Sequence, residues 1–347
     1  MEKKALVTGC AGFIGSHTTL RLLQEGFQVT GIDNLSRKGT SENLNRIHSL
    51  QDHNFTFIKC DIREENTLNL VFQSNGPFHL IIHEAGQVAV TQSIYDPRND
   101  FEITALGTFN ILESTRKYSP EAFFIFASTN KVYGKLHSME ITESISRYEY
   151  INNKNGVTED TPLDFFSPYG VSKGSADQYT RDYFRIYGLK TVVFRQSCIY
   201  GDHQFGIEDQ GWVAWFVIAS ILKREINIYG NGKQTRDILW IEDLIDAYIA
   251  SYENQNNCAG EVFNIGGGNN NSLSLNELVQ MLKELDLIKK NPSHTDWRPG
   301  DQEIYISNTQ KFENATNWKA QISSEKGVLK LIDWADKNLD LISQILK

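Results

Sequence analysis

A tyrosine and a lysine four residues apart, Tyr169 and Lys173, are the residues of this chain best suited to proton transfer. They open a segment, 169–187, that is predicted to be helical, and positions i and i+4 of a helix share one face. An ammonium group beside a phenol stabilises the phenolate, so Lys173 is expected to lower the pKa of Tyr169 from about 10 towards working pH. Tyr169 can then act as a general base towards a hydroxyl group. The same spacing also arises by chance on helices, so its meaning depends on the surrounding sequence.

A hydroxyl group at Thr129, next to Ser128, follows the fifth predicted strand of the chain. Thr129 could share a hydrogen bond with the substrate oxygen that Tyr169 deprotonates, and so orient it. Alternatively, Ser128 and Thr129 only terminate the strand, as small polar residues often do.

Three glycines, Gly9, Gly12 and Gly15, lie between an apolar run at 3–7 and a helix-forming segment at 16–25. At such a strand-to-helix corner one glycine permits a tight turn, one lets the backbone approach a pyrophosphate, and one lets the helix pack close to its strand. Unpaired N–H groups in the first helical turn then bind the phosphates. This pattern predicts a dinucleotide site.

The second predicted strand, 28–32, is followed by Asp33, 18 residues after Gly15. An acidic side chain there can bind both hydroxyls of the adenosine ribose and repels a 2′-phosphate, so it favours NAD over NADP. Arg37 and Lys38 work against this preference.

Strands and helices alternate through the first half of the chain, which predicts a parallel sheet with helices on both faces. The predicted strands 3–5 are 55–59, 80–83 and 122–127, and a long helix is expected at 99–117. Polar or small residues follow these strands, and ligands bind at the carboxyl ends of parallel strands. Asp61, with Ile62, either flanks the adenine or caps the following helix.

Beyond Tyr187 the pattern loosens, and the last 80 or so residues do not continue the parallel sheet. We expect an α/β fold, a Rossmann-type doubly wound parallel sheet with a smaller C-terminal substrate-binding lobe. The NAD-binding domain is placed at 1–197 plus about 236–262. The nucleotide-sugar-binding lobe is placed at 198–235 and 263–347, with the substrate between the two.

The composition limits the class of partner. A net charge of −9, from 34 basic and 43 acidic residues, argues against nucleic acid and an anionic membrane as partners. The four cysteines lack CxxC or disulfide-framework spacing, which indicates free thiols in a reducing compartment. The chain has no leader-like start and no apolar run of about 18 residues. We expect a cytoplasmic protein without a metal site.

These motifs together resemble the extended short-chain dehydrogenases/reductases that modify nucleotide-activated sugars. The similarity runs over essentially the whole chain and includes the glycine turn, Asp33, the stretch from Ser128 to Gly134, and Tyr169 with Lys173. The segments 163–170 and 209–213 resemble the epimerase branch in particular. Cys10 and Glu84 depart from the family pattern, because smaller or apolar residues are expected at these two positions.

The resemblance implies a role for each matching residue. Tyr169 is the implied base, Lys173 its electrostatic partner and Thr129 the assisting hydroxyl. The implied cofactor contacts are Gly9, Gly12, Phe13, Ile14, Gly15, Asp33, Asn34, Ser36, Arg37, Asp61, Ile62, Ala85, Gln87, Ser128, Tyr169 and Lys173. The implied substrate contacts are Thr129, Asn130, Gln196, Gln210, Gly211, Trp212, Arg236 and Arg298.

Two of these substrate contacts, Arg236 and Arg298, are expected at the diphosphate because guanidinium groups bind phosphate in a fork. Trp212 either borders the nucleotide base or packs its own helix.

The implied reaction is an NAD-dependent epimerisation at C2 of a CDP-linked 3,6-dideoxyhexose, by oxidation to a 2-keto sugar and reduction on the opposite face. Dehydration is disfavoured, because the related dehydratases need an Asp-Glu pair where this chain has Asn130 and Lys131. A 4-epimerase acting on a UDP-hexose and a non-catalytic NAD-binding protein are the alternatives. The sequence leaves open whether the nucleobase of the substrate is cytosine or uracil. A homodimer or homotetramer is implied.

Overall fold

A computed structural model describes residues 3–298 and 300–347 of the chain. Its strands are β1 (Lys4–Thr8), β2 (Gln28–Asp33), β3 (Phe55–Lys59), β4 (Leu80–His83), β5 (Phe123–Thr129), β6 (Ile141–Glu143), β7 (Tyr148–Tyr150), β8 (Lys190–Gln196), β9 (Cys198–Tyr200), β10 (Asn227–Tyr229), β11 (Thr235–Trp240), β12 (Val262–Ile265), β13 (Ser272–Ser274), β14 (Ser293–Thr295) and β15 (Ile304–Tyr305).

The α-helices are α1 (Phe13–Gln24), α2 (Thr40–His48), α3 (Glu65–Asn75), α4 (Val90–Tyr95), α5 (Pro97–Phe101), α6 (Gly107–Tyr118), α7 (Ser167–Tyr187), α8 (Trp212–Ile221), α9 (Ile241–Glu253), α10 (Gln255–Cys258), α11 (Leu275–Glu284), α12 (Gln310–Thr316), α13 (Ser324–Lys337) and α14 (Leu339–Ile345). A π-helix spans Glu102–Leu106, and short 3₁₀ helices span Asn130–Tyr133 and Asn269–Asn271.

Seven parallel strands form the central sheet, in the order β12-β8-β5-β4-β1-β2-β3. The chain runs outward from β1 in one direction through β2 and β3, and in the other through β4, β5 and β8. The strand order therefore reverses between β1 and β4, which is where a doubly wound sheet opens its binding crevice. The predicted Rossmann-type fold is confirmed.

Alternating side chains of the central strands face two separate layers of the core. Val7 and Ile82 pack on the side that holds α1, α8, α9 and α13. Leu6 and Ile81 pack on the other side, against α3, α6 and α7. Burial on both faces explains why these strands read as continuous apolar runs.

Among the described residues, three smaller sheets lie outside the central sheet. They are β10 with β14, β6 with β7, and a four-stranded sheet in which β11 pairs with β9, β13 and β15. The division into two lobes stays a prediction.

Two sequence expectations differ from the structure. The helix expected at 99–117 is interrupted by the π-helix Glu102–Leu106 between α5 and α6. The polar connection between Gly134 and Ser167 contains the hairpin of β6 and β7, whose strands have three residues each and are too short to show a period.

Candidate active site

A cavity of about 660 Å³ lies over the carboxyl ends of β1, β2, β4 and β5 and extends to the segment 196–213. Its volume lies within the range of about 300–1,000 Å³ usual for small-molecule sites. The predicted site residues that line it are Gly9, Gly12, Phe13, Ile14, Gly15, Asp33, Asn34, Ser36, Arg37, Asp61, Ile62, Ala85, Gln87, Ser128, Thr129, Tyr169, Lys173, Gln196, Gln210, Gly211 and Trp212.

The glycine turn has the geometry that a pyrophosphate requires. Gly9 has φ +74°, a conformation that favours glycine, and a Cβ on Gly15 would overlap the Gly9 carbonyl oxygen. Gly12 is the N-cap of α1 and has no side chain to cover the first helical turn. The backbone N–H groups there are therefore open to an anion.

Asp33 ends β2 and is fixed by the backbone on both sides. Its Oδ2 accepts a hydrogen bond from the Ala11 N–H at 3.1 Å, and its Oδ1 accepts one from the Leu35 N–H at 2.8 Å. Burial raises the pKa of this carboxyl, while the two N–H groups and the charge of Arg37 lower it. This places an oriented acid beside the glycine turn, as the ribose-binding prediction requires.

A second acid, Asp61, lies close by at the end of β3. The Asn34 amide donates to Asp61 Oδ2 at 3.0 Å. Arg63 donates to both Asp61 oxygens, at 2.9 and 2.8 Å, and these bonds hold the pKa of the carboxyl well below its usual range. Asp61 also accepts the Arg63 N–H at 3.0 Å, so it orders the turn into α3 as well as lining the cavity.

Arg37 links two segments of the chain that line the cavity. Its guanidinium group donates a hydrogen bond to the side chain of Gln210, which is 173 positions away in the chain. A residue predicted for the cofactor and one predicted for the substrate therefore meet directly.

Tyr169 is 8% exposed and lines the cavity together with Thr129. Burial raises the pKa of the phenol to about 12, while a hydrogen bond with Thr129 and the charge of Arg37 oppose that shift. The expectation that Lys173 brings this pKa below its free value is therefore wrong, because loss of solvation outweighs the hydrogen bond with Thr129 and the charge of Arg37.

Lys173 is anchored at the end of β5, where its ammonium donates to the Ala127 carbonyl at 2.9 Å. Burial lowers its pKa to about 8, and the charges of Asp100 and Glu84 oppose this change. Ser128 is also tied to the protein, because its hydroxyl donates to Asp177 at 2.9 Å. Its role at the cofactor stays a prediction.

Three predicted substrate contacts do not line the cavity: Asn130, Arg236 and Arg298. Arg236 is bonded to Asp301 at 2.7 Å, and Arg298 contacts Asp209 at 3.2 Å. Both guanidinium groups therefore already have carboxylate partners. These pairings depend on the tertiary fold and could not be read from sequence spacing.

The Asn130 side chain is bonded within the protein: its amide lies 3.5 Å from the side chain of Gln302, and its Oδ1 accepts a hydrogen bond from the Thr129 hydroxyl at 3.3 Å.

The cavity also contains residues that the site prediction did not include, among them Glu84, His203, Gln204 and Phe205. Glu84 directly follows β4 and precedes the predicted Ala85, so its position next to a strand end was a usable signal. The segment from His203 to Phe205 has no motif of its own, and only the fold brings it to the cavity.

The fold and site define a family. The model of the GDP-mannose 4,6-dehydratase family matches residues 6–331, so the chain belongs to this family of extended short-chain dehydrogenases/reductases. The curated CDP-paratose 2-epimerase of Salmonella typhi is 44% identical over 339 residues, which cover 95% of this chain and 98% of the relative.

Solved structures agree with this assignment. The UDP-glucose 4-epimerase of Thermotoga maritima, determined with UDP-glucose, matches with a TM-score of 0.82 and 31% identity, over 97% of this chain and 99% of its own. The dTDP-glucose 4,6-dehydratase of Bacillus anthracis, determined with NAD, matches with a TM-score of 0.81 and 29% identity, over 99% of both chains. The prediction of an NAD-dependent enzyme of this family is confirmed.

Two further observations concern membrane spans and metal sites. None of the described helices is long and apolar enough to cross a membrane. Among residues 3–298 and 300–347, no group of three His, Cys, Asp or Glu side chains is arranged to hold a metal ion.

Proposed function

We propose that the protein is an NAD-dependent epimerase that inverts C2 of a CDP-linked 3,6-dideoxyhexose. The observation that carries the proposal is that the Tyr169 phenol and the Thr129 hydroxyl interact in the wall of the same cavity that the glycine turn lines. The choice of substrate rests on the 44% identity with CDP-paratose 2-epimerase over 95% of the chain.

The residues of the cavity fit a dinucleotide. The glycine turn leaves room for a pyrophosphate, and Asp33 supplies an oriented carboxyl at the end of β2. Bound NAD supplies a reversible hydride acceptor for the sugar carbon.

Side chains of the protein transfer the proton of the sugar hydroxyl. Thr129 donates or accepts a hydrogen bond at the sugar hydroxyl and holds it against the phenol oxygen of Tyr169. Tyr169 removes the hydroxyl proton as the sugar is oxidised and returns it as the sugar is reduced. Lys173, anchored at Ala127, keeps a positive charge near the base. Inversion requires the keto sugar to rotate between these two steps, so that it is reduced on the opposite face.

The residues after Thr129 support epimerisation over dehydration. Asn130 and Lys131 stand there, and neither has the carboxyl group that elimination of water needs. Lys131 is instead paired with Asp301 at 3.5 Å. A UDP-hexose 4-epimerase is the second candidate, because the solved structure of the Thermotoga maritima enzyme shares this fold at 31% identity.

Isotope exchange distinguishes the two candidates. The protein is loaded with deuterated NADH and incubated with the keto form of a CDP-sugar or a UDP-sugar, and deuterium is located in the product by NMR. Deuterium at C2 of the CDP-sugar is the expected result. Deuterium at C4 of the UDP-sugar identifies the second candidate, and the absence of exchange with both sugars contradicts both.

We further propose a cytoplasmic location and a homodimer. The four free cysteines support a reducing compartment. Exposed apolar side chains along α6 and α7 support the dimer: Phe109 (37% exposed), Val171 (48%), Tyr179 (47%) and Ile186 (65%).

A further inference from the structure

A buried ion pair joins Asp177 of α7 to Arg195 of β8. The guanidinium group donates to both carboxylate oxygens, from Nε to Oδ2 at 2.9 Å and from Nη2 to Oδ1 at 3.1 Å. Asp177 is 0% exposed and Arg195 is 2% exposed. Neither side chain lines the cavity. The pair is therefore part of the protein interior and not of the binding surface.

A buried ion pair of this kind is a weak source of stability. Removing two charges from water costs about as much free energy as their attraction returns, and well-packed apolar side chains can often replace such a pair without loss. The pair does supply orientation, because a planar guanidinium group and a carboxylate that share two hydrogen bonds fix each other's direction. The other partners of the pair therefore indicate what it positions.

On the strand side, the pair holds the chain before and after Thr129. The Ser128 hydroxyl donates to Asp177 Oδ2 at 2.9 Å. Arg195 Nη1 donates to the Tyr133 hydroxyl at 3.1 Å, and Tyr133 ends the 3₁₀ helix that directly follows Thr129. The segment that presents the Thr129 hydroxyl is thus anchored on both sides by the same two charged groups.

On the helix side, the pair is attached to the face of α7 that carries the proposed base. Asp177 lies four residues after Lys173 and eight residues after Tyr169 on this helix. Residues four apart share a helix face, and all three of these side chains are buried. The ion pair therefore also fixes this face of α7 against β5 and β8.

We propose that Asp177 and Arg195 are positioning residues for the proton transfer: their ion pair sets the placement of the Thr129 hydroxyl relative to Tyr169 and Lys173. The inference rests on the proposed function, in which these three groups act on the sugar hydroxyl. Proton transfer requires the groups to lie within hydrogen-bond reach, and a misplacement of about 1 Å can lower a rate ~10²-fold. Loss of a contact between the pair and this segment should therefore slow the chemical step.

Hydroxyl deletions test the pair without breaking it. Replacing either charged residue leaves its partner buried and unpaired, which is expected to destabilise the whole fold. Tyr133→Phe removes one acceptor from Arg195 and keeps the ring, and Ser128→Ala removes one donor to Asp177. Tyr133→Phe is the decisive variant, because Tyr133 does not line the cavity, whereas Ser128 does and is also an expected cofactor contact.

Tyr183→Phe is the matched control. Tyr183 is a second buried tyrosine, 4% exposed, and it lies on α7 itself. Its hydroxyl donates to Glu113 of α6 at 2.9 Å. The control therefore deletes a tyrosine hydrogen bond that ties α7 to α6 and does not involve the ion pair.

The experiment measures kcat and KM for the CDP-sugar by NMR, the dissociation constant of NAD by calorimetry, and the midpoint of urea unfolding. In Tyr133→Phe we expect kcat to fall ~10-fold. KM and the NAD dissociation constant should keep their wild-type values, because the change acts on the transition state and not on binding. Ser128→Ala should lower kcat by a similar factor. Tyr183→Phe should lower the unfolding midpoint but keep the wild-type kcat.

The outcomes are distinct. A folded Tyr133→Phe protein with the wild-type kcat overturns the proposal, whatever its unfolding midpoint. An equal fall of kcat in Tyr183→Phe also overturns it, because loss of any contact of α7 would then produce the effect. A change confined to KM or to NAD affinity overturns it as well, since Tyr133 would then act on binding.

If Tyr133→Phe does not fold, Ser128→Ala decides, and a wild-type kcat in that variant overturns the proposal. If the wild type turns over neither a CDP-sugar nor a UDP-sugar, the proposed function fails and the inference fails with it. Turnover by the wild type with equal kcat in all three variants rejects the inference alone.

Discussion

The ammonium group of Lys173 donates a hydrogen bond to the backbone carbonyl of Ala127, 2.9 Å away. Ala127 lies in β5, two residues before Thr129, so the strand that presents the threonine hydroxyl also fixes the lysine. The same ammonium group lies 5.0 Å from the centre of the Phe126 ring. The lysine is therefore held by the sheet, whereas its burial disfavours the charge.

This burial predicts that Lys173→Met gains stability as it loses function. The pKa of Lys173 is lowered from 10.5 to about 8, so the unfolded chain binds more protons between these values and wild-type stability rises with pH there. Methionine removes the buried charge and should raise the free energy of unfolding by about 2 kcal/mol at neutral pH, after the lost hydrogen bond is counted.

Urea unfolding of Lys173→Met and wild type at neutral and at alkaline pH tests this prediction. The advantage of the variant should disappear above pH 10.5, where the lysine is neutral in both states. A variant that is less stable than the wild type by a constant amount would contradict the idea. The turnover of the variant should fall at every pH.

Thr129 is predicted to set the pH at which Tyr169 works as a base. A hydrogen bond with Thr129 lowers the phenol pKa, which burial raises to about 12. Below that value the rate of sugar oxidation should increase with pH, because only the phenolate accepts the proton. Thr129→Val should move the profile to higher pH and slow the reaction ~10²-fold near neutrality.

Stopped-flow measurement of cofactor reduction against pH gives these profiles. Thr129→Ser is the matched control, since it keeps the hydroxyl and should restore most of the rate. If valine and serine behave alike, the hydroxyl has no role in the proton transfer.

Tyr169→Phe is predicted to separate chemistry from binding. The phenyl ring retains the packing of a side chain that is 8% exposed, so the fold and the cofactor site should persist. Loss of the base should lower turnover by ~10²–10⁴-fold. Turnover is followed by NMR of the sugar, and bound dinucleotide is measured after release by denaturation. Activity close to that of the wild type would remove Tyr169 from the role of base.

Gly15 is predicted to be essential for the dinucleotide because of a backbone contact. A Cβ at this position would overlap the carbonyl oxygen of Gly9, and neither backbone segment can move without opening the turn. Gly15→Ala should weaken NAD binding ~10–100-fold, or about 1.4–2.8 kcal/mol, in a calorimetric titration.

Gly26→Ala is the control for this variant. Gly26 lies just beyond the end of α1, has φ +79° and has nothing within 4 Å of an added Cβ. The Gly26→Ala variant should lose stability through backbone strain but should bind NAD as the wild type does. Equal binding losses in both variants would mean that strain, and not the contact with Gly9, is responsible.

The sequence predicted the central sheet well, because its inner strands β1, β4, β5 and β8 are buried on both faces and read as apolar runs. β3 and β4 have the predicted bounds, and β5 extends two residues further, to Thr129. The interruption of the helix at 99–117 could not be predicted, because no proline or glycine marks the start of the π-helix at Glu102.

The site was predictable where local spacing determines it and not where tertiary pairing does. Gly9, Gly15 and Asp33 follow from a strand-to-helix corner, and their side chains or backbone line the cavity. The pairing of Arg236 with Asp301 joins residues 65 positions apart, and burial, which controls the pKa of Tyr169, also depends on the complete fold. These features have no signal in a single sequence.

The exposed apolar stripe on α7 is predicted to form the centre of a dimer. Val171 and Tyr179 lie eight residues apart on one side of the helix, and the Tyr179 ring contacts Phe109 of α6 with centroids 5.7 Å apart. Tyr179→Glu places a charge in this stripe, so light scattering should show a shift from the mass of two chains to that of one. Leu70→Glu on α3 is the matched control, because Leu70 is 62% exposed and lies outside the stripe. A wild-type protein with the mass of one chain, or a Tyr179→Glu protein that keeps the wild-type mass, would contradict this assignment.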